Sequence, residues 1–284
     1  LERTVGFKTI LFAAEAAKAN VCLVALGITL CTTNEPRVHL LGQPMSWFSS
    51  APPALGFCIS NILSFHNATR VSAATYTTCS QMKLLWTSLL SWWCLKRQYY
   101  RLQVIGFVLL VVGTILTAMD ASERIDGEET DPVAVLPLLV ESLVSGVTAV
   151  YMEALFADSD VCVMWERNIQ LSLLGLVLYG DPRTLVHLSD VTLSDVMLIL
   201  MTACGGLLAA FALKECGAVE KTLASCISIS LIVFIEAVLG HRLPNVGEVC
   251  GSAIVAIGVV VYTISDLIRW FPCDHDRERR ACNL

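Results

Sequence analysis

Lys83 stands near the middle of a run, Val71 to Leu95, that is otherwise apolar and long enough to cross a membrane. At helical spacing Tyr76, Ser80, Lys83 and Thr87 fall at i, i+4, i+7 and i+11, so they share one face. A charge at bilayer depth costs roughly 2.5 to 3.5 kcal/mol on insertion scales, and it persists where it meets a watery cavity, an anion or a carboxylate. The stripe offers an ammonium for phosphate, a phenol for a base or ribose, and hydroxyls for a sugar. The competing reading of Lys83 is an ion pair with an intramembrane carboxylate, and Glu15, Glu141, Glu153 and Glu236 are the candidates. Lys221, Ser225 and Ser228 form a second cationic stripe, although a lysine near a helix end can equally snorkel to the interface. Glu15 and Lys18, one turn apart, read as a local pair.

These residues need spanning helices to hold them, and the composition supplies them. The chain has 284 residues, 55% hydrophobic and 15% charged, with mean hydropathy +0.67, which marks a membrane protein. A net charge of -6 argues against nucleic acid as a partner. Ten of the twelve cysteines, Cys22 to Cys250, lie in or beside apolar runs and read as packing residues rather than a disulfide framework. Cys273, His275 and Cys282 sit among Asp and Arg and read as a solvated tail, not a metal site. No helix carries paired catalytic His or Asp and no nucleophile stands beside a base, so an enzyme is not expected, and neither is a cofactor. The first residue is Leu1, with no charged n-region or cleavage site ahead of it, so no signal peptide is expected.

Nine runs reach spanning length: about 9 to 31, 47 to 65, 71 to 95, 102 to 119, 133 to 157, 163 to 179, 196 to 213, 219 to 240 and 246 to 264. Eleven loop Lys and Arg lie on the side of the C-terminus against six on the other, which predicts a cytosolic C-terminus and a lumenal acidic loop from Asp120 to Asp131. At an offset of 145, Arg97 meets Arg242, Gly106 meets Gly251 and Gly113 meets Gly258, so the hairpin of runs three and four recurs as runs eight and nine in opposite topology. The expected organisation is a first half over 1–119, the acidic loop over 120–132, a second half over 133–264 and a cytosolic tail over 265–284. Mapping run five back by the same offset falls ahead of the first run, so an opening helix is expected to be missing from the first half. Asn67-Ala-Thr69 fits the glycosylation acceptor pattern but abuts the membrane, so occupancy is not expected.

Four stretches carry a resemblance: Phe12-Ala-Ala-Glu15-Ala-Ala-Lys18, Ala74-Thr-Tyr76 through Gln81-Met-Lys83, Ser145-Gly146 through Tyr151-Met-Glu153, and Trp165-Glu-Arg167-Asn168-Ile-Gln170-Leu171. Gly205-Gly206 to Lys214 and Lys221-Thr-Leu-Ala-Ser225 match more loosely. In these the chain resembles the nucleotide-sugar transporters of the drug/metabolite transporter superfamily, which include the CMP-sialic acid, UDP-galactose and UDP-N-acetylglucosamine carriers. The resemblance implies an all-α bundle of ten helices in two inverted halves, of which nine are present here. It further implies residence in the Golgi membrane, with the endoplasmic reticulum as the alternative, and exchange of a nucleotide sugar for a nucleoside monophosphate. It leaves a homodimer open.

Carried over by position, Asn61, Tyr76, Lys83, Asn168, Lys214 and Lys221 would line the nucleotide site, with Ser80 on the Lys83 stripe beside them. The chain departs from the family twice. Glu215-Cys-Gly-Ala follows Lys214 where the family has Tyr-Ala-Asp-Asn, and Ser172 stands where the CMP-sialic acid branch has a tyrosine. The second departure points to a UDP-sugar, galactose or N-acetylhexosamine, with a GDP- or CMP-sugar as the alternative. A proton-coupled exporter of small metabolites, using the four intramembrane glutamates as relays, is the reading from a different class.

Overall fold

The computed structural model describes residues 2–32, 42–68, 76, 79–80, 82–122, 132–157, 161–181, 192–238 and 246–270. Nine α-helices hold most of them: α1 Glu2–Thr32, α2 Pro44–Ala68, α3 Met82–Cys94, α4 Arg101–Ser122, α5 Pro132–Phe156, α6 Val161–Tyr179, α7 Leu193–Glu215, α8 Ala218–Val238 and α9 Val246–Trp270. Each overlaps one of the nine apolar runs, and Tyr76, Cys79 and Ser80 ahead of α3 are helical too. Lipid offers no partner to backbone N–H and C=O groups, so an apolar run of this length satisfies them within itself. The molecule is an all-α membrane protein. Gly6–Thr32, Leu136–Phe156, Val161–Tyr179 and Leu193–Glu215 are long and apolar enough to span by length and composition. Three hydroxyls inside these helices bond back to the preceding turn, Thr29 to Ala25 O, Thr148 to Val144 O and Thr202 to Leu198 O at 2.7 to 2.8 Å, so these three bring no bare donor into lipid.

The helices pack as two units, residues 1–70 with 132–221 and residues 71–131 with 222–284, each drawing on both sequence halves. In the first unit α1 lies against α6 and α7, and α2 against α5 and α6. Two apolar clusters hold it. Leu11, Cys58 and Tyr179 pack with Phe7 and Phe12, and Cys22, Leu26 and Ile169 pack with Leu30, Trp165 and Leu207. The turn from α7 to α8 closes the unit. Gly217 holds φ +100° there, and Oε2 of Glu153 on α5 accepts from Ala218 N at 2.8 Å, capping α8.

In the second unit α4 packs along α9 and α3 against α4. Tyr99, Phe107 and Tyr262 form an aromatic chain, with centroid separations of 5.4 and 5.1 Å.

All ten described cysteines are free thiols. Asn67 is buried, and the nitrogen a glycan would use donates to Glu141 Oε2 at 2.7 Å. The segments 123–131 and 271–284 lie outside the described residues, and with them Cys273, His275, Cys282 and most of the acidic loop; so does Arg242 of the repeat. Among the described residues no three His, Cys, Asp or Glu group as metal ligands.

Candidate functional site

The site in the first unit is built on one stripe of α1. Leu11, Glu15, Lys18 and Cys22 follow at i, i+4, i+7 and i+11. The two outer members belong to the two apolar clusters, and the charged pair lies between them. Lys18 Nζ reaches both carboxylate oxygens of Glu15, at 2.8 and 2.7 Å, with the side chains only 15% and 17% exposed. Two glycines make room for the pair. A Cβ on Gly175 of α6 would stand 3.1 Å from Glu15 Cγ, and one on Gly206 of α7 would stand 3.3 Å from Lys18 Cδ.

A cavity of about 240 Å³ opens beside this pair, lined by α1, α2, α6 and α7 with Met152 of α5. Its polar wall is made by Glu15, Lys18, Asn61, Asn168, Tyr179 and Thr202, and its apolar wall by residues such as Phe57 and Leu171. Asn61 Nδ2 donates to the Tyr179 hydroxyl at 3.1 Å, which orients the phenol. Asn168 Nδ2 donates to Met164 O at 2.9 Å, so its carboxamide oxygen is the end left for a donor in the cavity. The wall therefore presents a cation, a carboxylate and neutral hydrogen-bonding groups, a set suited to a hydroxyl-rich polar ligand.

Of the residues expected from the sequence, Asn61 and Asn168 face this cavity. Gln170 of the same motif serves a helix-to-helix bond: it is fully buried, and its Oε1 accepts from Ser46 and Ser50 of α2 at 3.1 and 2.7 Å. Ser172 is fully buried on α6 and does not line the cavity. Lys214, in the last turn of α7, lies 3.6 Å from Glu215. Lys221 is half-buried in the second turn of α8, its amide donating to Gly217 O at 3.2 Å. Tyr76, Ser80 and Lys83 are half-buried in the second unit, where Thr87 of the same stripe is buried and donates to Lys83 O at 2.9 Å. Glu15, one partner considered for Lys83, is held by Lys18 instead.

In the sequence Glu15 and Lys18 read as a local pair, Gly206 belongs to a loosely matching stretch, and Tyr179, Thr202 and Gly175 stand unmarked. The pair is local, and it also lines the cavity. The available signal was the bracketing of two charges by Leu11 and Cys22 on one helical face; nothing marked Tyr179, which closes its helix as an ordinary interfacial aromatic would.

A sequence profile described as Nucleotide-sugar transporter matches residues 7–263. The chain belongs to the nucleotide-sugar transporter family. That family is one of transporters, not enzymes. Among its relatives, the UDP-galactose/UDP-N-acetylglucosamine transporter srf-3 of Caenorhabditis elegans is 22% identical over 237 residues, covering 80% of this chain and 64% of that protein. The UDP-N-acetylglucosamine transporter of Homo sapiens is 25% identical over 212 residues, covering 70% and 65%. The UDP-galactose translocator of Mus musculus is 32% identical over 204 residues, covering 68% and 52%. The matches thus span between about half and two thirds of these relatives' length. A solved crystal structure covers 94% of this family member, and 89% of itself, at 16% identity and TM-score 0.66, which supports the helical fold.

Proposed function

We propose that this nucleotide-sugar transporter imports a UDP-sugar, UDP-galactose or a UDP-N-acetylhexosamine, into the Golgi lumen in exchange for UMP, with its C-terminus in the cytosol. The observation that carries the substrate class is the agreement among relatives whose names specify UDP-galactose or UDP-N-acetylglucosamine. The site chemistry supports it. A cavity of about 240 Å³ lies below the roughly 300 to 1,000 Å³ of pockets that take whole drug-sized ligands, so it suits one hydroxyl-bearing portion of the substrate. For the phosphates we keep the assignment the family resemblance implies, Lys83, with Tyr76 and Ser80 on its stripe, and Lys221. Antiport is the exchange that the family resemblance implies, a phosphate-bearing ligand being carried in each direction, so exchange should outrun one-way flux.

The test is uptake by the full chain in proteoliposomes, using labelled UDP-galactose, UDP-N-acetylglucosamine, UDP-N-acetylgalactosamine, a GDP-sugar and a CMP-sugar, in empty, UMP-loaded, CMP-loaded and GMP-loaded vesicles. Uptake of a UDP-sugar, accelerated several-fold by UMP and much less by CMP, is expected. Equal uptake by empty and loaded vesicles would overturn antiport, and stimulation by GMP alone would overturn the base.

A further inference from the structure

Arg167 sits on α6 beside Asn168, yet it does not line the cavity. Its guanidinium turns to the start of α2, where every hydrogen bond it makes runs through one nitrogen. Nη1 donates to Ser46 O at 3.1 Å and to the hydroxyls of Ser46, Ser49 and Ser50 at 3.3, 2.6 and 3.1 Å. All four acceptors are neutral. Nε is buried with no hydrogen-bond partner, and no carboxylate of the described residues lies in ion-pair range of this side chain. The hydrogen bonds of this half-buried cation thus run to dipoles alone, and the nearby negative charge among the described residues is that of Glu166, its neighbour on α6, with which it makes no ion pair. Hydroxyl dipoles offset part of the desolvation cost of a guanidinium, but a full anion offsets far more.

The same side chain borders an open depression of about 460 Å³ with Gln43, Met45, Phe48 and Ser49. Met45 and Phe48 are 79% and 74% exposed, in the first two turns of α2. The depression shares no lining residue with the transport cavity. It lies at the start of α2, which carries one of the apolar runs of spanning length, and it combines an arginine that makes no ion pair among the described residues with two protruding apolar side chains. Arginine binds phosphate oxygens through paired N–H donors. The apolar side chains have no use for a free anion, but they suit the glycerol and upper acyl region of a lipid.

We propose that Arg167, with Met45 and Phe48, forms a site for the phosphate headgroup of an anionic phospholipid. Occupancy pins the start of α2 to α6 one residue away from Asn168, so lipid composition would tune the cavity wall.

Native mass spectrometry and thermal unfolding of the purified full chain in detergent, titrated with phosphatidylglycerol, phosphatidylcholine or sodium phosphate, test this. Phosphatidylglycerol should remain bound and raise the unfolding midpoint, and the other two should not. Arg167→Gln should weaken phosphatidylglycerol binding about tenfold, the scale of a lost charge-assisted contact. That variant also loses its bonds to the serines, so Met45→Ser/Phe48→Ser, which keeps the guanidinium network, serves as the second probe and should weaken lipid retention several-fold. Undiminished phosphatidylglycerol binding by both variants overturns the site. Equal effects of phosphatidylcholine overturn the need for an anionic lipid, and equal effects of sodium phosphate overturn the lipid as its source.

Discussion

Gly106 and Gly258 bring two helix backbones into direct contact: a Cβ on Gly106 would stand 3.0 Å from Gly258 O, and one on Gly258 would stand 3.1 Å from Gly106 O. Seven residues along α4, a Cβ on Gly113 would stand 2.8 Å from Gly251 O. The offset of 145 sends Gly106 to Gly251 and Gly113 to Gly258, so it converts the first contact into the second. A pair of antiparallel helices related by a local two-fold behaves this way. Small residues are what such an approach requires where lipid removes the hydrophobic drive for helix association.

Gly113→Ala and Gly258→Ala should each cost about 1 to 3 kcal/mol, because two of the three nearest atoms the methyl meets in each case are backbone and cannot rotate away. Gly258 is the cleaner case, with Leu110 N at 3.0 Å. Gly27→Ala on α1 is the control. Nothing lies within 4 Å of its Cβ position, so it should be neutral or slightly stabilising through helix propensity. Thermal unfolding in one detergent compares the three, and equal midpoints for Gly258→Ala and Gly27→Ala would refute the packing argument.

Helix existence was legible because lipid leaves a long apolar run no other way to satisfy its backbone, and each of the nine runs overlaps a helix among the described residues. Gly106, Gly113, Gly251 and Gly258 were legible as a repeat because close approach leaves only one residue type. The cavity was harder to read. Its wall gathers α1, α2, α6 and α7, and helical spacing reports which residues share a face without reporting which faces meet. Asn61 and Asn168 came from family resemblance. Glu15 and Lys18 were read from their spacing of three, and that spacing carries no information about the glycines opposite.

Breaking the Glu15–Lys18 pair should be costly and restoring neutrality should not. Lys18→Met leaves a largely buried carboxylate without its cation and should destabilise by about 3 kcal/mol, the low end for such pairs because both side chains keep some exposure. Glu15→Gln/Lys18→Met should recover most of that stability. Transport should stay impaired in the double variant, since the cavity has lost both charged groups. Full transport by the double variant would make the pair purely structural.

Gly206 and Gly205 give an adjacent test. A Cβ on Gly206 meets Lys18 Cδ at 3.3 Å, whereas nothing lies within 4 Å of a Cβ on Gly205. The lysine stem can yield by a few tenths of an ångström, so Gly206→Ala should leave stability within about 1 kcal/mol. It should still lower uptake several-fold by shifting the ammonium. Gly205→Ala should transport as the parent does, and indistinguishable uptake by the two variants would remove Lys18's position as a determinant.

Lys83→Ala should lower substrate affinity about ten- to a hundred-fold, the worth of one charge-assisted phosphate contact, while the chain stays folded. Uptake kinetics and an unfolding midpoint separate the two readings of this lysine. If the variant unfolds, and neutralising an intramembrane glutamate rescues it, Lys83 serves an ion pair rather than the substrate.

The turn that launches α8 sets the last expectation. Gly217 holds φ +100°, a conformation costing an L side chain about 1 to 2 kcal/mol, and a Cβ there would also stand 2.8 Å from Glu153 Oε1 and 3.1 Å from Glu220 Oε2. Gly217→Ala therefore strains the backbone and displaces the carboxylate that caps α8 through Ala218 N. Lys221 rides one turn further along the same helix, its amide bonded to Gly217 O, so a shifted α8 start moves the ammonium. Loss of both stability and UDP-sugar uptake is expected for Gly217→Ala. Glu153→Gln keeps a carbonyl acceptor for the cap and should lose less than Glu153→Ala, where a missing cap costs about 0.5 to 2 kcal/mol. If Glu153→Gln and Glu153→Ala unfold at the same temperature, the cap does not hold this turn.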